Sequence, residues 1–145
     1  MFIRAVNIPV RRPMTLEERR MGLFSVTVRL HSLLDDSFTD LSATVDTGAN
    51  FSMIPANVLD DLGVERAHRA AFELADGSRA EYDVGELRVT VEGQTTHTWA
   101  GFAEVGTEPL LGCYAMDGLM LAADPYAGKL ILSPDAPPGQ NGLQL

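Results

Sequence analysis

Asp46-Thr47-Gly48 closes a stretch that alternates apolar residues (Leu41, Ala43, Val45) and opens the segment Ala49-Asn50-Phe51-Ser52-Met53-Ile54-Pro55. An aspartate on a turn of this kind can serve as one carboxylate of an acid–base pair. Hydrolysing a peptide bond with water requires one group to take the water's proton and another to protonate the carbonyl oxygen. Two carboxylates about 3 Å apart cannot both ionise, so they share a proton and act as acid and base at one pH. The resulting pKa values belong to the pair. The 145-residue chain has one Asp-Thr-Gly and no Asp-Ser-Gly. A partner for Asp46 must therefore come from a second copy of the chain across a two-fold axis.

Each neighbour of Asp46 has a physical reason to be there. Gly48 lets the backbone turn tightly and leaves an amide free to approach the carboxylate, which stabilises the ionised form. Ala49 keeps room beside the pair for substrate. About 30 residues on, Ala75-Asp76-Gly77-Ser78 carries the strongest short-range hairpin signal of the chain, Asp-Gly. Leu110-Leu111-Gly112, two apolar residues and a glycine before a short helical stretch, comes near the end. Taken singly, each has a plainer reading: an Asx-turn between strands, an ordinary hairpin, and core ahead of a helix start.

The elements that must position these residues are mostly strands. Phe24, Val26, Val28 and Leu30 alternate with polar residues as in a half-buried strand. Leu33 to Asp40 reads as a polar connection and Leu41 to Val45 as the strand ending at the motif. Phe51 to Ile54 follows as a short strand. Pro55 fits a first helical position, with Val58, Leu59 and Leu62 on one face and Gly63 as the stop. Strands are expected over Ala71–Ala75, Ser78–Val84, Leu87–Val91, Thr96–Val105 and Lys129–Leu132, with one or two helical turns over Cys113–Leu119. Before these, Met1–Ile8 could pair as a strand and Thr15-Leu16-Glu17-Glu18 opens like a helix N-terminus. The expected organisation is a tail over residues 1–21, one mostly β, compact barrel-like domain over 22–132, and a Pro- and Gly-rich disordered tail over 133–145.

Composition excludes several function classes. A net charge of −9 argues against nucleic-acid phosphates as the main partner. No apolar run reaches the ~18 residues of a membrane span, and Met1–Val10 is too short and broken by Pro9 for a secretory leader. The expected location is cytoplasmic. The single Cys113 allows no internal disulfide and reads as a small buried residue, since no histidine close in sequence would activate it as a nucleophile. His31, His68 and His97 lack metal-ligand spacing, and Asp35, Asp36, Asp40, Asp60 and Asp61 lack that of a calcium loop. No metal or organic cofactor is expected. Trp99 and Phe102 read as core or subunit contact.

Together, the apolar strand into Asp46-Thr47-Gly48-Ala49, the Asp76-Gly77 hairpin, Leu110-Leu111-Gly112 and the closing Leu119-Met120-Leu121, Asp124-Pro125 and Gly128-Lys129-Leu130 resemble the retropepsin-like aspartic proteases, which include bacterial single-domain members. The resemblance covers roughly Gly22 to Leu132. It implies a closed β-barrel with one or two short helices that works as a two-fold dimer. It also implies that the aspartate motif and Leu110-Leu111-Gly112 pack together in a ψ-shaped loop. The Thr47 hydroxyl would bond to the partner's backbone, and terminal strands, Lys129–Leu132 among them, would interleave between subunits. Ala75, Asp76, Gly77 and Ser78 would form a flap over a peptide bound as an added strand. The flap's polarity departs from the apolar, glycine-rich flaps of the retroviral enzymes and bears on substrate preference. The implied activity is that of a homodimeric aspartic endopeptidase acting on peptide or protein substrates. The alternatives are a non-catalytic dimerisation or peptide-binding module of the same fold and a monomeric β-barrel interaction domain.

Overall fold

The computed structural model describes residues 24–73 and 77–134 of the 145. Among the described residues nine strands and two short helices follow in chain order: β1 (Ser25–His31), β2 (Phe38–Val45), β3 (Ser52–Pro55), α1 (Ala56–Asp61), β4 (His68–Glu73), β5 (Arg79–Val91), β6 (Gln94–Ala103), β7 (Leu110–Leu111), α2 (Cys113–Gly118), β8 (Leu121–Asp124) and β9 (Lys129–Leu132). The molecule is mostly β, as expected. The expected features over Met1–Ile8, Thr15–Glu18 and the two tails lie outside the described residues, apart from Ser133 and Pro134.

Seven strands pair in the order β1-β2-β7-β3-β6-β5-β4, and β1 also pairs with β5 through Arg29–Thr90 and Leu30–Val89. The pairings therefore close into a ring from β1 back to β1. A 2.7 Å hydrogen bond between His31 Nε2 and Thr90 Oγ1 fastens the closure. Most steps are antiparallel, but β2–β7 and β3–β6 are parallel.

Two apolar clusters lie on opposite faces of this ring. Along β2, Ala43 and Val45 point into the larger cluster with Val28 and Leu30 of β1 and Leu87, Val89 and Val91 of β5. The period-2 alternation of these strands is the pattern of one buried face. The second cluster joins Ala49, Phe51, Met53, Ala70, Phe72, Val84, Ala103 and Leu110. β3 supplies Ile54 to one cluster and Met53 to the other, so all four of its residues are buried. That is the usual condition of a strand covered on both faces.

Several boundaries differ from the sequence reading. β2 begins at Phe38, which shortens the connection after β1. Pro55 ends β3 with extended backbone (φ −51°, ψ 135°), and the helix starts one residue later. The expected strands Ser78–Val84 and Leu87–Val91 are one 13-residue strand. Gly85 marks no break in it. A Cβ at that position would lie 2.4 Å from the Glu65 carbonyl oxygen and 2.6 Å from Val64, so the glycine is there for close packing. Lys129–Leu132 is a strand, as expected, but it pairs with Leu121–Asp124 of the same chain in a separate two-stranded sheet. Among the described residues no helix is long and apolar enough to cross a membrane.

One buried polar atom is out of place energetically. Thr98, opposite Leu87 on β6, is 5% exposed, and its hydroxyl has no hydrogen-bond partner among the described residues. A buried hydroxyl without a partner loses its hydration for nothing. Thr98→Val, which keeps the branched shape, is expected to raise stability by about 1 kcal/mol. Denaturant melts of the two proteins at one pH check this.

Candidate active site

Asp46 stands at the C-terminal end of β2, where its amide donates to the Leu111 carbonyl at 3.0 Å and so extends the β2–β7 ladder by one residue. The chain then turns sharply. The Ala49 amide donates to the Asp46 carbonyl at 3.1 Å, and the Gly48 amide donates to Asp46 Oδ1 at 2.9 Å. The geometry is an Asx-turn, and the same bond places a backbone donor on the carboxylate. Asp46 is half-buried, whereas Thr47 and Gly48 are exposed.

Beyond the turn the loop is stitched to β7 and α2. The Cys113 amide donates to the Ala49 carbonyl at 2.7 Å, and the Tyr114 amide to the Asn50 carbonyl at 3.1 Å. The Gly112 amide donates to the buried Ser52 Oγ at 3.0 Å. These bonds answer amides that the first turn of α2 leaves without helical partners. β7 itself lies between β2 and β3, parallel to the first and antiparallel to the second. Asp46-Thr47-Gly48 and Leu110-Leu111-Gly112 are thus brought together, Leu110 and Leu111 buried in opposite clusters.

Ala49 is fully buried in the second cluster, so packing rather than contact with a surface ligand accounts for its small size. Of the hairpin residues, Ala75 and Asp76 lie outside the described residues. Gly77 and Ser78 are exposed, and Gly77 has φ +85°. Such a φ is open to glycine and strained for other residues. The hairpin β4–β5 is linked to the motif loop through aromatic rings. Phe51 meets Phe72 of β4 edge-on at 5.7 Å and Tyr114 of α2 at 5.5 Å, and Phe72 meets Tyr82 of β5 at 5.6 Å. Edge-on pairs at this spacing are favourable beyond the area they bury.

Cys113 is half-buried rather than buried, and its thiol donates to Asn50 Oδ1 at 3.4 Å. Burial, then the charges of Asp117 and Asp46, push its pKa up. The thiol form is therefore the resting one, which disfavours a nucleophilic role. Two cavities, of about 250 and 500 Å³, lie near the β1–β2 connection (Leu33 lines both) and take none of the motif residues into their walls.

The sequence reading passed over four residues that hold this site. Asn50, Phe51 and Ser52 sit in the segment after the motif, where their spacing shows no period. Glu108 accepts a hydrogen bond at 2.7 Å from Thr44 Oγ1, two residues before Asp46. A lone acidic residue in a connecting loop carries no sequence signal.

No family model and no curated relative matches the chain. Solved structures do. The protease–reverse transcriptase of a foamy virus, solved with an RNA/DNA hybrid, is 17% identical with a TM-score of 0.51 over 66% of this chain. The match spans only 12% of that longer chain. The protease of simian foamy virus is 21% identical, with a TM-score of 0.48 over 69% of this chain and 99% of its own. A Legionella pneumophila protein of unknown function is 16% identical, with a TM-score of 0.44 over 71% of this chain and 92% of that one. At such identities the likeness to the viral protease–reverse transcriptase speaks for fold alone, and the fold is retropepsin-like.

Proposed function

We propose that this chain is an aspartic endopeptidase whose active site forms between two copies, each contributing Asp46. The observation that carries the reading is the half-buried Asp46 carboxylate on a turn braced by the Gly48 amide and strapped to β7 and α2. A rigid loop is what a carboxylate pair needs, because its separation decides whether one proton is shared. The retropepsin-like fold adds support at the level of architecture, and the bacterial single-domain proteases named above are the proposed relatives.

The chemistry follows from a pair holding one proton. The ionised carboxylate takes a proton from water as the water oxygen bonds to the peptide carbonyl carbon. The protonated carboxylate gives its proton to the carbonyl oxygen. When the tetrahedral adduct collapses, that oxygen returns its proton to the pair, the C–N bond breaks and the nitrogen leaves with a proton from the pair. The pair ends with one proton, ready for another cycle. In the proposed dimer Thr47 links the two loops, and the β4–β5 hairpin with Gly77 and Ser78 closes over a peptide bound as an added strand. No step calls for a metal or organic cofactor.

A site shared between two chains depends on concentration. Specific activity on a mixed peptide library is expected to rise with protein concentration and to level off where sedimentation shows the dimer complete. Activity per chain that is constant down to a fully monomeric sample overturns the shared site. A dimer that binds peptides and never cuts them is the remaining reading, separated by product analysis of the same library.

A further inference from the structure

The two cavities beside the β1–β2 connection share Leu33 and Glu86 in their walls, which makes them adjoining halves, of about 500 and 250 Å³, of one trough. Its floor is the outer face of β5 and β6. Leu87 and Val89 of β5 are core, so by alternation Glu86 and Arg88 stand on the other face, opposite Trp99 and His97 of β6. The facing wall carries Leu33 and Leu34, large apolar side chains left 53% and 72% exposed. Both walls are fixed. The Leu33 amide donates to the Leu62 carbonyl at 2.9 Å and the Leu34 amide to Ser32 Oγ at 3.0 Å. A Cβ at Gly63 would lie 2.5 Å from Leu34, so that side chain rests on the glycine. Across from it Trp99 meets His68 edge-on at 5.2 Å, and at the far end His31 is held by Thr90. A site built this way needs little ordering when a ligand enters.

The charges of the trough are sorted by sign. Glu65 and Glu86 line the larger half with Trp99 and the two leucines, and Arg88 lines the smaller half with His31 and His97. The side chains of Glu65, Glu86 and Arg88 make no ion pair or hydrogen bond with any described residue. Elsewhere on the hairpin the charges are matched, Arg66 and Arg69 both holding Asp83.

We infer that this trough, apart from Asp46, binds an extended segment of a partner protein with a basic and an acidic residue two positions apart. In an extended segment alternate side chains point the same way about 7 Å apart, which is also the spacing of Glu86 and Arg88 along β5. The aliphatic stem of an arginine or lysine lies along Leu33 and Leu34, with its cation between the Trp99 ring and the carboxylates of Glu65 and Glu86. The acid two residues away meets Arg88, whose planar fork suits a carboxylate. A wholly apolar segment would strip water from these three charges and give them no partner. The inference stands whether or not the chain cuts peptides.

The test uses the full chain carrying D46N, so that no peptide is lost to cleavage under the peptidase reading. It is titrated into fluorescently labelled, end-capped alanine-rich peptides with Arg-Ala-Asp or Asp-Ala-Arg at the centre, and binding is read by anisotropy. One of these two orders is expected to bind roughly tenfold more tightly than an Arg-Asp peptide, whose charges point to opposite sides. E86Q and R88Q alter exposed side chains, so their melting temperatures are expected to match the parent's. Each is expected to weaken the preferred peptide by about three- to fivefold. In E86Q the arginine of the peptide, and in R88Q its aspartate, is then replaceable by leucine with little further loss. R88E is expected to move the preference to Arg-Ala-Arg. Equal binding of the spaced and adjacent peptides, binding that neither E86Q nor R88Q moves, or no binding at millimolar protein overturns the inference. Each of these results leaves the peptidase reading standing, since that reading is tested by cleavage at Asp46.

Discussion

Asp46→Asn is expected to lower kcat/KM by at least about 10³-fold, the scale of general acid–base catalysis by a positioned carboxyl, while leaving the melting temperature close to that of the wild type. Asparagine keeps an oxygen for the Gly48 amide, so the turn that holds it survives. What disappears is the group that can carry the shared proton. A mixing experiment makes the result specific to a two-chain site. If subunits exchange, an equal amount of inactive Asp46→Asn chain added to active enzyme leaves half as many all-wild-type dimers, and activity settles at about half. A site complete within one chain shows no such loss. Cleavage that survives the substitution sinks the mechanism.

The pH profile provides a control on the same experiment. A pair that must hold one proton gives a bell-shaped kcat/KM with its optimum on the mildly acidic side. Its acid limb must be separated from unfolding, and the titrating groups of the fold set where unfolding begins. Hydrogen bonds from Arg66, Arg29 and Ser37 hold the carboxyls of Asp83, Asp40 and Asp35, respectively, below the ordinary 3.8. Their stabilisation is complete above that value and is lost as pH falls beneath it. Burial first, then Arg88 and Arg29, lower the pKa of His31 below 6.5. The folded state favours its neutral ring, so this contribution is whole above 6.5 and is lost as pH falls through the folded value. The melting temperature should thus be steady above pH 6.5, drift down slightly below it and drop steeply only under about pH 4. A fall in activity between pH 5 and pH 4 without a matching melt belongs to the pair.

How much of this was legible in the chain depends on the kind of signal each part leaves. β1 and the inner half of β5 bury one face, and Ala43 and Val45 of β2 join the same cluster, so their apolar alternation could be read directly. Positions 110 to 112 could be tied to the motif only by resemblance, because a two-residue strand has no period. β8 was missed for a similar reason: Leu121-Ala122-Ala123-Asp124 is too short and too weakly alternating to be read as a strand, and its pairing with β9 is visible only in the fold. The strand that runs on through Gly85 joins two expected strands, and the missing Cβ there makes room for the Glu65 carbonyl, a contact between distant segments that leaves no local pattern. Ala49 and Glu108 show the limit for the site itself. A small residue after a motif looks the same whether it borders a ligand or a core, and an acid in a loop looks the same whether or not it accepts a hydrogen bond from the strand that carries the motif.

Gly112→Ala is expected to cost about 3 kcal/mol, to lower the melting temperature by roughly 10 °C or more, and to remove activity with it. Gly112 has extended backbone (φ −96°, ψ 175°), so no special conformation calls for glycine there. Space does. An added Cβ would lie 2.5 Å from the Phe51 carbonyl oxygen, 2.6 Å from its carbon and 2.7 Å from the Asn50 carbonyl oxygen. All three are backbone atoms of the motif loop and cannot swing aside as a side-chain tip does. Relief requires the loop and α2 to part, which breaks the Gly112–Ser52, Cys113–Ala49 and Tyr114–Asn50 hydrogen bonds and shifts Phe51 against Phe72. Gly128→Ala is the matched control: nothing lies within 4 Å of its Cβ position, but its φ is +64°. It should cost only the left-handed strain of about 1 kcal/mol, with activity unchanged at temperatures below the melt. Thermal melts and kcat/KM measured on both proteins separate crowding at the seam from glycine replacement in general. If Gly112→Ala melts like Gly128→Ala and still cuts, β7 and α2 do not hold the Asp46 loop as tightly as the seam implies.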